Sequence, residues 1–292
     1  MVHTMSKLTR LLFLATVHRC TAYGGRRKAW NKALRSFMEV RVNTSQRSFV
    51  VVGAHLFHQD HNDPLSRLMR DLPWAAVLLI EANPSVAEKL GAAIAAHNPF
   101  SRTAKERVFV SNAGVCPTDM LSGQTEVALP FHSLNVSGRG LPLWATQAGS
   151  FHKPHMTWAA ADLADKSNGQ WSRWRLARQL VTTKVPCRAL PEELRWWRRA
   201  DASGSRATRL PPPAVLLMDA EALDCRIVES HDFCAGALRP ELLVYEYAHC
   251  TKRAQAAART RLGKCPGFAS PAFQDSENIY FTTSWIDSPK SA

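Results

Sequence analysis

Acidic residues are scarce in this sequence: 24 Asp and Glu face 37 Lys and Arg, a formal net charge of +13. That balance points toward anionic partners and says nothing about fold. No run of about 20 apolar residues occurs, so no segment qualifies as a transmembrane helix. No CxxC pair and no Cys/His set with zinc-finger spacing is present, which excludes the common structural zinc modules, and no other metal-ligand set is visible. The seven cysteines are scattered and odd in number in a long chain, so they read as reduced core residues rather than a disulfide framework. No G-x-G-x-x-G follows the first apolar run, which excludes the dinucleotide fingerprint. No internal repeat is visible either.

What is present suits a globular domain: 46% hydrophobic and 21% charged residues over 292 positions can bury a substantial core. Residues 1–45 are basic and lack a clear period, and they read as an N-terminal extension or leader. Lys7 and Arg10 precede the short apolar run Leu11–Val17, the outline of a signal peptide, but His18 and Arg19 interrupt it. The expected location is therefore the cytoplasm, with the secretory lumen as the alternative if residues 1–24 act as a signal. The sequons at Asn43 and Asn135 add little, since about one is expected by chance.

From residue 46 to 292 the pattern is that of a single α/β domain. Ser48–Gly53 and Ala75–Ile80 are short, continuous apolar runs, as buried parallel strands require. Pro64 starts a helix with Leu65, Leu68, Met69 and Leu72 along one side. Asn83-Pro84-Ser85 starts another, with Glu88 at capping-box spacing from Ser85. Arg107–Ala113, Val215–Asp219, Glu241–Glu246 and Asn278–Thr283 read as further strands, the last antiparallel at the sheet end. Residues 117–181 lack a period and read as a long insertion after the third strand, with a hairpin near Val127–Phe131. The expected fold is a Rossmann-like, doubly wound, mostly parallel sheet.

In such a sheet, ligands bind beyond the carboxyl ends of the strands. Gly53, Glu81 and the pair Asp219 and Glu221 stand there. A carboxylate in the position of Glu81 accepts both hydroxyls of a ribose, while a polar residue at a solvent-facing strand end is the plain alternative. Asp219 and Glu221 equally suit the N-terminus of the next helix.

Five segments, in order, carry a resemblance. They are Val51-Val52-Gly53-Ala54 with Asp63-Pro64-Leu65, Leu79-Ile80-Glu81-Ala82-Asn83-Pro84, Ser111-Asn112-Ala113-Gly114, Leu217-Met218-Asp219-Ala220-Glu221-Ala222-Leu223-Asp224, and Leu243-Val244-Tyr245-Glu246 with His249. Together they resemble FkbM-type S-adenosylmethionine-dependent methyltransferases. The chain departs from that family at His55-Leu56-Phe57, where an Asn and then a second glycine usually stand, and at Ala222, where the signature has glycine.

The resemblance implies the class I methyltransferase fold, S-adenosyl-L-methionine as donor, and O-methylation of a small-molecule or glycan hydroxyl. It places Gly53 and Ala54 beside the methionine part of the cofactor and Glu81 on its ribose, with Asn83 and Asn112 in the same cofactor-binding set. Asp219, Glu221, Glu246 and His249 become the catalytic candidates. The alternative is a non-catalytic relative that binds an anionic partner, nucleic acid or an acidic polymer. Its sequence basis is two Arg/Trp patches, Arg173-Trp174-Arg175 and Arg195-Trp196-Trp197-Arg198. Helix faces with inward tryptophans and solvated arginines account for the same residues.

Overall fold

A computed structural model describes residues 23–55, 64–97, 99–100, 102–135, 149–166, 171–200, 212–234, 238–268 and 271–282. The leader-like segment at residues 1–22, the polar stretch at 58–63 and the proline-rich loop at 201–211 lie outside the described residues.

Short apolar runs dictate the architecture. Strands β1 (Ser48–Val52), β2 (Ala76–Ile80) and β8 (Pro213–Met218) are buried at every position, so both faces of the sheet must be covered. With β3 (Val108–Ser111), β9 (Leu242–Glu246), β10 (Phe273–Gln274) and β11 (Asn278–Thr282) they form a seven-stranded sheet of order β10-β11-β9-β8-β1-β2-β3. Its core is parallel, and β11 runs antiparallel to both β9 and β10.

Alternate side chains serve opposite faces. Phe49 and Val51 of β1, with Val77 and Leu79 of β2, pack against helices α1 (Tyr23–Arg41), α2 (Pro64–Asp71) and α3 (Pro84–Ala96). Val50, Val52, Leu78 and Ile80 pack instead against α7 (Asp224–Ser230) and α8 (Lys252–Gly263). The expected mixed α/β fold with a mostly parallel sheet is therefore present.

Within the stretch set aside as an extension, α1 buries Trp30, Leu34, Phe37 and Met38 against this sheet. Its buried positions recur every three or four residues, a helical period masked by the basic residues around it. Helix α3 starts two residues earlier than a Ser85 box would place it. Asn83 is its N-cap and accepts from the Ser85 amide, with Pro84 in the first turn.

A second sheet, of order β4-β7-β5-β6, occupies the chain between β3 and β8. Its strands are β4 (Gly114–Val115), β5 (Glu126–Leu134), β6 (Gly149–Ser150) and β7 (Leu180–Arg188). The hairpin expected near Val127–Phe131 does not close locally. Those residues lie in β5, which pairs antiparallel with β7 from Glu126↔Arg188 to Leu134↔Leu180. Helices α4 (Lys153–Lys166) and α5 (Arg173–Ala177) pack together over β5, and α6 (Leu190–Ala200) follows β7.

A buried ionic network joins the sheets. Arg188 donates to Glu193 Oε2 and Glu126 Oε2, both at 2.6 Å, and Ser111 Oγ of β3 donates to Glu193 Oε1. Glu193 is completely buried.

The cysteines overturn the expectation of free thiols. Cys116–Cys187, Cys225–Cys250 and Cys234–Cys265 are disulfides, with Cα atoms 5.8, 6.1 and 4.5 Å apart. Their separations of 71, 25 and 31 residues carry no local signature, so only the fold reveals the pairing. Among the described residues, no helix is long and apolar enough to cross a membrane.

Candidate functional site

The chain passes from β1 to β2 and β3 in one direction and later places β8 on the other side of β1. The point where strand order reverses thus lies between the ends of β1 and β8. A cleft opens there, lined by Gly53, His55, Glu81, Asp219, Ala220 and Glu221 from the main sheet and by Phe131, Ser150 and Phe151 from the second.

The turn after β1 is left-handed. Gly53 has φ +71°, and a Cβ at that position would collide with the carbonyl oxygen of Asp219. Its lack of a side chain therefore serves the close packing of β1 on β8. His55 follows with φ +44°. Its amide donates to Glu81 Oε2 and the Asn83 amide donates to Glu81 Oε1, both at 2.7 Å. Glu81 is only 3% exposed, and each of its oxygens keeps a lone pair beyond these bonds. Asn112 donates to the carbonyls of Glu81 and Ala82 at 3.0 and 3.3 Å and so fixes the backbone at the end of β2. Ala54 is fully buried. Gly53 and Glu81 thus reach the cleft wall, whereas Asn83 caps a helix and Asn112 braces a loop.

The turn after β8 is also left-handed, with Glu221 at φ +49° and Ala222 at φ +80°. Neither Asp219 nor Glu221 caps α7. The fully buried Asp224 reaches back instead, accepting from the Ala220 amide at 3.0 and 3.1 Å. Burial, then the charges of Asp219 and Glu246, push the Asp224 carboxyl well above the usual range. Freed from capping, the Asp219 and Glu221 side chains join an ionisable cluster.

His155 from α4 sits 2.8 Å from Glu221 Oε2 through its Nε2. His249, just after β9, contacts Glu246 Oε2 at 2.9 Å and Glu221 Oε2 at 3.7 Å through Nδ1. The His155 and His249 rings lie 4.8 Å apart, and the half-exposed Trp158 lies 5.2 Å from His249. His55 Nε2 is 3.9 Å from Asp219 Oδ2, and its Nδ1 is buried with no hydrogen-bond partner among the described residues.

Charges set the titration of this cluster. Asp219 opens onto the cleft, with 42% of its side chain accessible, yet the surrounding protein and then Glu221 and Glu246 hold its carboxyl well above the usual range. Burial alone would raise Glu221, but the His155 hydrogen bond and the nearby histidines bring it below. The hydrogen bond to Glu246 raises His249. His55 is lowered by burial and more than restored by Glu81, Asp219 and Glu221.

All four sequence-predicted catalytic candidates, Asp219, Glu221, Glu246 and His249, meet here. Sequence reading missed His155, His55 as a cluster member, and Trp158. The helical spacing of Met156, Ala160, Leu163 and Ala164, all buried, marks α4 and with it His155.

None of the described Arg/Trp side chains lines the cleft. Arg175 stacks over Trp171 at 4.7 Å, Arg178 over Trp174 at 5.8 Å, and Arg173 pairs with Asp165. Arg195 pairs with Glu192, while the side chains of Trp196, Trp197 and Arg198 lie outside the described residues. Compared with family models, curated proteins and solved structures, the chain returns no match.

Proposed function

We propose that this protein is an S-adenosylmethionine-dependent methyltransferase acting on a hydroxyl of a small molecule or glycan. One observation carries the reading. At two points where the chain departs from FkbM-type residues, both among the described residues, the backbone is left-handed: His55 at φ +44° and Ala222 at φ +80°. Asn and Gly, the family's residues there, are the types that adopt this conformation at least cost, and His tolerates it better than most. Left-handed turns at these two positions are what an Asn and a Gly would suit, and this supports the reading.

The cofactor's requirements fit what lines the cleft. Glu81, buried at the end of β2 and held by two backbone amides, is oriented to accept from ribose hydroxyls. The acidic residues Asp219 and Glu221 suit the neighbourhood of a sulfonium. When bound, the cofactor supplies an electrophilic methyl group. The chain supplies orientation and a proton acceptor. Asp219, at the carboxyl end of β8 and open to the cleft, is the group we assign to take the acceptor hydroxyl's proton. Trp158 offers an exposed flat face beside His249, as a sugar ring requires.

The test is calorimetric titration of S-adenosylmethionine into wild type and Glu81→Gln, with melting curves to confirm folding. Losing a hydrogen bond to a charged group removes about 1.5–3 kcal/mol, so the variant binds at least about tenfold more weakly. A folded wild type that takes up no cofactor refutes the reading.

A further inference from the structure

The three histidines and four carboxylates at the cleft are more than proton transfer requires. Among the described residues, His155, Glu221 and His249 each present a ligand atom within 4.8 Å of the others. The His155 Nε2–Glu221 Oε2 and His249 Nδ1–Glu221 Oε2 distances are 2.8 and 3.7 Å. An ion with bonds of about 2.0–2.2 Å holds neighbouring ligand atoms roughly 3–3.5 Å apart, so small side-chain adjustments suffice. Three elements converge to build the site: α4 supplies His155, the turn after β8 supplies Glu221, and the turn after β9 supplies His249.

Each ligand is held in place. Left-handed backbone at Glu221 turns that residue into the cleft, and Ser150 Oγ donates to its carbonyl at 2.9 Å. The Cys225–Cys250 disulfide ties the residue after His249 to the helix that follows the Glu221 turn. Glu246 Oε2, 2.9 Å from the same His249 Nδ1, is a further carboxylate beside the ligand set.

We infer that His155, His249 and Glu221 form a binding site for a divalent first-row transition ion. Two imidazoles and one carboxylate select such ions over Mg2+ and Ca2+, which prefer all-oxygen shells. Three protein ligands also leave positions open for water or an acceptor hydroxyl. His55 and Asp219 extend the cluster on the other side of Glu221, with their ligand atoms also within 4.8 Å of its carboxylate. The site does not depend on the methyl donor, so its test needs only the metal.

Untagged, disulfide-intact protein is titrated with Co2+ and followed by visible absorption and by proton NMR of paramagnetically shifted imidazole N–H signals. The expected result is saturable binding, visible d–d bands, and shifted signals from two histidines. His155→Gln and His249→Gln, checked for folding by circular dichroism, each weaken binding by roughly 100-fold or more, beyond what loss of an outer-shell partner costs. Mg2+ at tenfold excess does not compete. Three results overturn the inference: no Co2+ uptake by the folded wild type, uptake unchanged in both variants, or a thiolate charge-transfer band placing the ion on a cysteine. The wild-type spectra decide the matter even if a variant fails to fold.

Discussion

Replacing Ala222 with glycine removes one methyl group from a turn and makes the protein more stable, the reverse of what that substitution does in most places. Ala222 has φ +80°, where an L-residue's Cβ crowds the backbone at about 1–2 kcal/mol. Glycine relieves that strain but gives the unfolded chain more freedom, an offset of about 0.4–1 kcal/mol. The net gain is about 0.5–1 kcal/mol. For a domain of this size that is a rise in melting temperature of roughly 2 °C.

The assay is urea denaturation with the disulfides intact, followed by tryptophan fluorescence and scored by the midpoint at constant slope. Ala220→Gly, two residues upstream, serves as the control. Ala220 has no positive φ, so glycine there brings only the entropic loss and lowers stability by about 0.5–1 kcal/mol. If both variants lose stability equally, the left-handed turn is not strained and the argument from Ala222 to the family signature fails.

Gly53→Ala runs the opposite way. A left-handed residue gains a Cβ that meets the Asp219 carbonyl, and the expected loss is about 3 kcal/mol or more by the same urea assay. Arg188→Met or Glu193→Leu leaves its partner's charge buried and costs about 3–5 kcal/mol, whereas the double variant costs much less than the sum, as a double-mutant cycle will show. Burial holds the His231 imidazole below its ordinary pKa, where it stays neutral between the Leu190 amide and the Ile227 carbonyl. The unfolded chain takes up that proton near pH 6.5 and the folded chain only below it. The resulting stability is therefore present above about pH 6.5 and lost as pH falls through the folded-state value; His231→Asn flattens that part of the pH–stability curve. Cys225→Ser with Cys250→Ser releases a 25-residue link and costs about 3.5 kcal/mol, measured under oxidising conditions with the other two bridges intact.

The sheet was legible because buried parallel strands leave little choice of residue. Val50-Val51-Val52, Leu78-Leu79-Ile80 and Leu216-Leu217-Met218 admit no other reading once helices separate them. Glu81, Asp219 and Glu246 were legible for a related reason: a strand's last residue in such a sheet faces the ligand side whatever the loops do. The pairing of β5 with β7 was not, since its register is set across some fifty residues of chain, as the Phe131↔Thr183 pair shows. His155 was hidden because its helix packs mainly on its own small cluster of Met156, Leu163, Trp171 and Leu176 rather than on the main sheet. Cysteine pairing was hidden for the reason that defeats any sequence reading of long-range cross-links: spacing carries no information about which loops meet.

The Cys225–Cys250 bridge has a consequence beyond stability. It joins the helix that follows the Glu221 turn to the residue after His249, so the two side chains are linked covalently as well as by packing. A chain with these cysteines reduced lacks that strap, so thiol–disulfide balance bears on how closely the two side chains are held. Oxidation and the geometry of the cleft are thus joined at one covalent bond.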